Sequence, residues 1–286
     1  MSFKIGGRTI GEGRCFIIGE VGLAHDGSLQ AAHAYVDAIA QAGADAVKFQ
    51  LHIADHEPDA PMRVPHPQYK DRHEQWKRTA FDEDGWQELF NHVLDWGMFF
   101  LCSPFSIPAV NWMRAKVMLW KIPSGEITNQ PLLRAIAATG MPALLSTGMA
   151  THDEVGRAML DLANVPVVPM QCTSSYPCPP ERVGLGVMAK WREYGFAVGL
   201  SDHSGTIYPG LAAVTLGCDV LEVHVKLSPW DQGPDASSSI IPEQLKQLVE
   251  GCRFIETMKA NPVDKDAMAR ELESMRELFM RKAALA

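Results

Sequence analysis

The amino-acid sequence predicts one α/β domain in which eight parallel strands close into a barrel, surrounded by helices. Short apolar runs alternate with longer segments of helical spacing, and this alternation is typical of parallel strands joined by helical crossovers. The runs number eight, the number that closes a (β/α)8 TIM barrel. An open doubly wound sheet is the alternative, but no glycine-rich dinucleotide-binding turn follows the first run.

The predicted strands are apolar runs of four to six residues. They cover Cys15–Glu20, Ala46–Gln50, Met98–Cys102, Met118–Ile122, Ala143–Ser146, Val167–Gln171, Ala197–Ser201 and Val220–Val225. The sixth run contains Pro169, which has no amide hydrogen to donate to a neighbouring strand. This strand is therefore expected to be the least regular of the set.

The segments between the strands show helical spacing of their apolar residues. Gly43 and Gly140 follow two of these segments, and Thr151 precedes a third as a candidate N-cap. The predicted helices cover Leu29–Ala42, Trp86–Trp96, Pro108–Lys116, Gln130–Thr139, His152–Ala163, Pro180–Tyr194, Tyr208–Leu216 and Pro242–Met258.

Three segments lie outside this alternation. Residues 1–14 predict a short hairpin around Gly6-Gly7, and residues 264–286 predict a charged final helix outside the barrel. Ile53–Thr79 is long, polar and rich in His and Pro, which predicts an extended loop over the barrel mouth. Because no linker or composition break divides the chain, residues 1–286 are expected to form a single domain.

Composition argues against several classes of protein. The 286 residues are 47% hydrophobic, with a net charge of −8 and a pI of about 5.7, which disfavours binding of nucleic acid through its phosphates. The sequence shows no signal peptide and no apolar run long enough to cross a membrane. We therefore expect a cytoplasmic enzyme with small-molecule substrates. The six cysteines lack metal-binding or redox spacing. A homodimer is compatible with the sequence, which does not determine the oligomeric state.

In a (β/α)8 barrel the catalytic site lies at the carboxyl ends of the strands. Polar residues stand at nearly every such end: Glu20, Lys48, Gln50, Ser103, Lys121, Ser124, Glu126, Ser146, Gln171, Ser174, Ser201, His203, Glu222 and His224. Lys48 and Gln50 are two residues apart and share one face of their strand, as do Glu222 and His224. Two lysines with hydroxyl groups suit a phosphate and a carboxylate, and two histidines with carboxylates suit a divalent metal.

Several segments resemble motifs of one enzyme family, in order and at similar spacing, over roughly residues 15–250. They are Ile18–Gly27 (IGEVGLAHDG), Ala42–Gln50 (AGADAVKFQ), Lys121–Asn129 (KIPSGEITN), Leu145–Met149 (LSTGM), Cys172–Pro177 (CTSSYP), Gly199–Ser204 (GLSDHS) and Gly233–Asp235 (GPD). Each segment alone is moderately specific. Together they resemble the barrel domain of the sialic acid (N-acetylneuraminate) synthases.

The resemblance implies a reaction and the residues that perform it. The reaction joins phosphoenolpyruvate to an aldose similar to N-acetylmannosamine and yields a sialic-type (nonulosonic) acid and phosphate. His203 and His224 match the metal ligands, usually of manganese, with Mg²⁺ or Co²⁺ as alternatives, and Glu20 and Glu126 complete the catalytic set. The residues that match the phosphoenolpyruvate site are Lys48, Ser103, Lys121, Ser124, Ser146, Ser174 and Ser201. Those that match the sugar site are Gln50, Glu126, Tyr176 and Asp235.

Three features depart from the family pattern. Relatives usually carry an antifreeze-like domain after the barrel, which lends an arginine to the sugar's acyl group in a partner subunit, whereas we expect this chain to be a barrel alone. Lys226 stands after the last histidine, where the family has no lysine, and Ala24 and Asp26 replace the usual residues of the first motif. The identity of the acceptor sugar is therefore left undetermined by the resemblance, and we expect the Ile53–Thr79 loop to take part in selecting it.

Three alternatives would use many of the same residues. Another 3-deoxy-sugar-acid synthase would condense phosphoenolpyruvate with a different aldehyde. A Schiff-base aldolase would use Lys48 or Lys121 as its nucleophile. A catalytically silent barrel would bind a phosphorylated ligand without turnover, because the fold alone does not guarantee an activity.

Overall fold

A computed structural model describes residues 2–57, 70–233 and 235–280 and contains the predicted closed barrel. A short antiparallel hairpin, β1 (Phe3–Ile5) and β2 (Arg8–Ile10), precedes it. The barrel strands are β3 (Phe16–Gly22), β4 (Ala46–Leu51), β5 (Phe99–Pro104), β6 (Trp120–Ile122), β7 (Ala143–Ser146), β8 (Val167–Cys172), β9 (Gly199–Asp202) and β10 (Val220–Val225). All neighbouring pairs are parallel, and β10 pairs with both β9 and β3, which closes the barrel. The predicted fold class is confirmed.

Each predicted strand is present, with bounds that differ by no more than two residues. Pro169 lies inside β8 and is aligned with Leu145 of β7 in the register of the parallel pair. The proline is therefore accommodated within a buried parallel strand. A two-residue strand, β11 (Ser239–Ile240), extends the sheet beside the end of β10.

The eight predicted helices are present, and one further helix lies in the segment predicted as a loop. They are α1 (Leu29–Gln41), α2 (Arg72–Thr79), α3 (Glu83–Asp95), α4 (Ile107–Met113), α5 (Gln130–Ala137), α6 (His152–Asp161), α7 (Leu185–Glu193), α8 (Tyr208–Thr215) and α9 (Pro242–Ala260). The helix predicted over Pro180–Tyr194 is divided, because a 3-10 turn (Pro180–Arg182) precedes α7 and Gly184 lies between them with a φ of 73°.

The prediction of an extended loop over Ile53–Thr79 is wrong at both described ends. A 3-10 turn covers Ala54–His56, and α2 begins after Asp71, whose side chain accepts a hydrogen bond from the backbone amide of Glu74. Residues 58–69 lie outside the described residues. The barrel mouth after β4 is thus bordered by a helix.

The C-terminal segment is helical but divided. Two short helices, α10 (Lys265–Glu271) and α11 (Glu273–Phe279), meet at Leu272, which leaves helical geometry with φ −99° and ψ 21°. Residues 281–286, also assigned to this helix by the sequence, lie outside the described residues. No described helix has the length and apolar character that a membrane crossing requires.

Two apolar layers place the polar site at one end of the barrel. The larger layer packs the outer faces of the strands against the helices. The smaller fills the lower barrel interior with Phe16, Leu101, Leu144 and Met170, among others, and the hairpin adds Ile5 and Ile10 beneath it. Because this interior is filled with apolar side chains, the polar site lies above it, at the carboxyl ends of the strands.

Candidate active site

A cavity of about 800 Å³ opens at the carboxyl ends of the barrel strands. Of the predicted site residues, those that line it are Glu20, Lys48, Gln50, Ser103, Lys121, Ser124, Ser146, Ser174, Tyr176, Ser201, His203, His224 and Asp235. These residues come from all eight strands or from the segments that follow them. The closed barrel therefore brings together side chains up to 215 positions apart in the sequence.

Lys48 connects two neighbouring strands at the floor of this cavity. Its Nζ lies 2.8 Å from Glu20 Oε2 and donates to Ser103 Oγ at 3.1 Å. Glu20 and Lys48 face each other in the register of β3 and β4, and Gln50 Nε2 donates to Glu20 Oε1 at 3.1 Å. Burial opposes the charge on Lys48, but the attraction of Glu20 and Glu222 outweighs it and raises the lysine pKa. This ammonium group is charged at neutral pH.

Lys121, on β6, is the second lysine of the floor. Its Nζ donates to Ser146 Oγ at 2.7 Å and lies 3.6 Å from Glu222 Oε1. Burial lowers its pKa against the attraction of Glu222. The side chains of Lys48 and Lys121 are only 4% and 3% exposed. Two almost completely buried lysines require local negative charge, since an unpaired buried ammonium group is costly.

Glu222 supplies much of that charge. Its Oε1 accepts from Ser201 Oγ at 3.0 Å and lies 3.7 Å from Lys48 Nζ. Burial would raise its pKa, but Lys121 and Lys48 together lower it to about 2. The floor thus holds two ammonium groups and the carboxylates of Glu20 and Glu222, which balance in charge before any ligand binds.

A hydroxyl cluster surrounds Gly148 beside Lys121. The amide of Gly148 donates to Ser124 Oγ at 3.0 Å, and Ser124 Oγ lies 3.6 Å from Cys172 Sγ. A Cβ atom at position 148 would lie 2.8 Å from Ser124 Oγ and 2.9 Å from Cys172 Sγ, and closer still to Ser174 Oγ. Only glycine lets these groups converge, and hydroxyl groups next to an ammonium group suit a phosphate or carboxylate.

The two predicted metal-binding histidines lie together at the ends of β9 and β10. The ring centroids of His203 and His224 are 5.2 Å apart. His203 Nδ1 donates to the backbone oxygen of Thr173 at 2.9 Å, which leaves Nε2 as the acceptor, and Tyr176 OH lies 3.3 Å from it. Burial, and then the proximity of His224, lower the pKa of His203 to about 4. Its imidazole is therefore neutral at neutral pH, the form that binds metals.

These residues fit a divalent metal that keeps open positions. The backbone contact of His203 Nδ1 holds one ring in the orientation typical of metal ligands. Asp235 Oδ2 lies 3.8 Å from His224 Nδ1, and Glu222 Oε2 is buried without a hydrogen-bond partner among the described residues. In the described part of the chain no group of three or more His, Cys, Asp or Glu side chains is arranged to hold a metal. Substrate or water oxygens would therefore complete the coordination.

Glu126 is the predicted catalytic residue that the structure does not bring into the cavity. It lies in a 3-10 turn after β6, and its Oε2 accepts from Asn129 Nδ2 at 2.7 Å. Burial raises its pKa. Ser124 and Gly125 of the same turn line the cavity, whereas Glu126 is not among the lining residues.

Several cavity residues were not assigned a role from the sequence. Glu222 was recognised as a strand residue on the face of His224, and that spacing was the available signal. Cys172 resembles an ordinary core cysteine in the sequence, yet it lies between Ser124 and His203. His52, Arg72, Gln75 and Trp76 also line the cavity. Three of these residues lie on α2, a helix that the polar sequence of Ile53–Thr79 did not predict.

Comparison with known proteins identifies close relatives of the whole barrel. Human N-acetylneuraminate-9-phosphate synthase is 32% identical over 267 residues, which cover 90% of this chain and 74% of the human protein. Campylobacter jejuni N,N'-diacetyllegionaminic acid synthase is 32% identical over 265 residues, covering 88% of this chain and 79% of that protein. The crystal structure of N-acetylneuraminic acid synthetase from Leptospira borgpetersenii, in complex with citrate, is similar with a TM-score of 0.85 at 28% identity, over 99% of this chain and 98% of that one.

A family model supports the same assignment. The model of the NeuB family matches residues 35–264, which include both buried lysines and both cavity histidines. The match covers well over half of the 286 residues, and it agrees with the ordered motifs in the sequence. The chain therefore belongs to the NeuB family of sialic acid synthases, which are phosphoenolpyruvate-dependent condensing enzymes.

Proposed function

We propose that this protein condenses phosphoenolpyruvate with an aldose similar to N-acetylmannosamine, giving a nonulosonic acid and inorganic phosphate. One observation carries the proposal: two buried lysines and a set of hydroxyl groups share a cavity with two converging histidines. Phosphoenolpyruvate carries a phosphate and a carboxylate close together. Two lysine side chains that both lie within 3.7 Å of Glu222 Oε1 can contact these two anionic groups together.

The lysines can hold phosphoenolpyruvate without losing their own partners. Each ammonium group has three N–H donors. Lys48 donates one of them to Ser103 and is ion-paired with Glu20, and Lys121 donates one to Ser146. The remaining donors can contact the ligand while these contacts persist. Ser124, Ser174 and Ser201 add hydroxyl groups to the lining of the same cavity.

The proposed reaction forms one carbon–carbon bond and breaks one carbon–oxygen bond. C3 of phosphoenolpyruvate attacks the aldehyde carbon of the sugar, a carbon–carbon bond forms, and the aldehyde oxygen takes a proton to become a hydroxyl group. C2 is left electron-poor and adds water, which loses a proton. The C2–O bond to phosphate then breaks: phosphate leaves with the electron pair, the remaining hydroxyl proton at C2 passes to it, and C2 becomes a ketone.

Glu20 is the carboxylate we assign to proton transfer at the water. It lines the cavity, and Lys48 and Gln50 hold its two oxygens in place. His203 and His224 would hold a divalent metal, for which we propose manganese, and when bound it would polarise the aldehyde oxygen. Gln50, Tyr176 and Asp235 line the cavity and are proposed to contact the sugar hydroxyl groups. We do not assign Glu126 to proton transfer while its carboxylate contacts Asn129.

The decisive experiment incubates the enzyme with manganese, phosphoenolpyruvate and a panel of aldoses in ¹⁸O-labelled water. We expect phosphate release that depends on the aldose, and a product whose mass is that of aldose plus pyruvate, allowing for label at C2. The released phosphate should contain no label, because water attacks carbon rather than phosphorus.

Other outcomes would support the alternatives. Labelled phosphate released without an aldose would indicate simple hydrolysis of the phosphate ester. Condensation of the aldose with pyruvate in place of phosphoenolpyruvate would indicate a Schiff-base aldolase, and borohydride should then trap the substrate as an adduct on a lysine. Tight phosphoenolpyruvate binding without turnover of any aldose would favour a silent barrel.

A further inference from the structure

One side of the cavity consists of residues that neither the reaction nor the predicted phosphoenolpyruvate site uses. Arg72, Gln75 and Trp76 of α2 line it, together with His52, which directly follows β4. We call these four residues the α2 wall. Positions 72, 75 and 76 lie on one helix face, since residues three and four apart are neighbours. Gln75 and Trp76 are 4% and 5% exposed, so this face is directed inward.

Arg72 differs from the other basic residues of α2 in its lack of a carboxylate partner. His73 and Lys77 both contact Asp55 Oδ1, at 3.3 and 3.0 Å, and Arg78 contacts Asp26 Oδ2 at 2.7 Å. Within the described ranges, Arg72 has no such ion pair, and it is the basic residue of the helix that lines the cavity. Its guanidinium N–H groups are available to a ligand.

Gln75 presents a second unpaired group. The residue is 4% exposed and lines the cavity, and its side-chain amide makes no hydrogen bond with any residue that the structure describes. The amide is not among the buried polar atoms that lack a partner, so it keeps access to the cavity. Its donor and acceptor can therefore bind a ligand there.

His52 is held rigidly beside it. Its ring stacks on Trp76 with centroids 4.4 Å apart and on Phe105 with centroids 3.8 Å apart. Nδ1 donates to Glu57 Oε2 at 2.9 Å, so Nε2 is left as an acceptor. Burial lowers the pKa of His52, which keeps the ring neutral.

We propose that the α2 wall binds an acylamino group of the acceptor sugar and thereby selects acylamino aldoses over their hydroxyl counterparts. The proposal rests on the condensation proposed above. Arg72 donates to the acyl oxygen, Gln75 or His52 accepts the amide N–H, and the Trp76 ring contacts the acyl methyl group. The wall belongs to this chain's own barrel, so acyl recognition needs no second domain.

The chemistry of the wall favours an amide over a phosphorylated sugar end. A phosphate needs several charge-assisted donors, whereas the four wall residues include one cation. An amide needs a donor, an acceptor and an apolar surface at once, and the wall provides each of them.

The test compares Arg72→Met and Gln75→Leu with wild type, using N-acetylmannosamine and mannose as a matched acceptor pair. Lys77→Met is the control, because it removes a basic residue from the outer face of the same helix. We expect kcat/KM for N-acetylmannosamine to fall roughly 10- to 100-fold in Arg72→Met. It should also fall in Gln75→Leu. The values for mannose and the KM for phosphoenolpyruvate should stay nearly constant, and Lys77→Met should match wild type.

A binding measurement separates this proposal from the condensation itself. Isothermal titration calorimetry measures the affinity for N-acetylmannosamine, and so tests the wall without any turnover. If the wild-type enzyme turns over neither sugar, the proposed reaction is refuted, but the binding measurement still decides the role of the wall. Weaker N-acetylmannosamine binding in Arg72→Met, with an unchanged melting temperature, supports the wall. An unchanged preference for N-acetylmannosamine over mannose in both variants, in kcat/KM or in affinity, overturns it.

Discussion

Replacing Glu222 by glutamine tests whether the charge balance at the barrel floor holds the site together. The substitution keeps the shape of the side chain and removes one of the two carboxylates that face Lys48 and Lys121. Both lysines would remain almost completely buried with less compensating charge. Leaving a buried charge without its partner typically costs about 3–5 kcal/mol.

The pKa of Glu222 provides an independent magnitude. It falls from the ordinary 4.5 to about 2 in the folded protein, and 1.36 kcal/mol per pH unit converts this shift to about 3 kcal/mol. Because the folded pKa lies below the unfolded one, the carboxylate stabilises the fold fully above pH 4.5. This contribution is lost as the pH falls through 2.

Urea unfolding of wild type and Glu222→Gln at pH 7 and pH 3.5 measures the loss of unfolding free energy and its dependence on pH. We expect the variant to lose about 3 kcal/mol of unfolding free energy at pH 7. The difference should be roughly 1 kcal/mol smaller at pH 3.5. Glu88→Gln is the matched control, since Glu88 pairs with His33 on the surface and is 63% exposed, so less than about 1 kcal/mol is expected. A loss below 1 kcal/mol at pH 7, or an equal loss at both pH values, would refute the reasoning.

Three further predictions concern ligand binding. The double variant His203→Ala, His224→Ala should bind no stoichiometric manganese by elemental analysis and should lose turnover; full activity would remove the metal site. Lys121→Ala should raise the dissociation constant of phosphoenolpyruvate roughly 10- to 100-fold while manganese binding stays nearly unchanged, and an unaltered titration would remove Lys121 from that site. Gly148→Ala should weaken phosphoenolpyruvate binding with little change in melting temperature, because the new methyl group would displace Ser124, Ser174 and Cys172. If calorimetry shows wild-type affinity in this variant, the hydroxyl cluster is not part of the site.

The barrel and most of its polar floor could be predicted because both follow from local patterns. Each strand is a short apolar run, and each run ends where polar residues begin, so the strand ends also locate the cavity. Lys48 and His224 were recognisable because an ionisable residue on a buried strand has few structural explanations. Chain order then placed them on one rim, since every strand of a parallel barrel points the same way.

The remaining features depend on contacts between distant segments. The sequence of α2 has low mean hydropathy and no wide apolar stripe, although Asp71 with Glu74 three residues later was a usable capping signal. Glu126 matches a family motif, but its orientation depends on Asn129, three positions further along. Glu222 became interpretable only once Lys121 lay beside it.

The buried position of the two lysines also has an entropic consequence. A lysine side chain free in solvent samples many rotamers, and fixing one costs up to about 2 kcal/mol. In this protein Lys48 is held by Glu20 and Ser103, and Lys121 by Ser146, before any ligand arrives. That ordering is part of folding, so a bound anion need not immobilise either side chain. The affinity of the site for a doubly charged ligand is preserved by this preorganisation, which flexible lysines on a surface loop would lack.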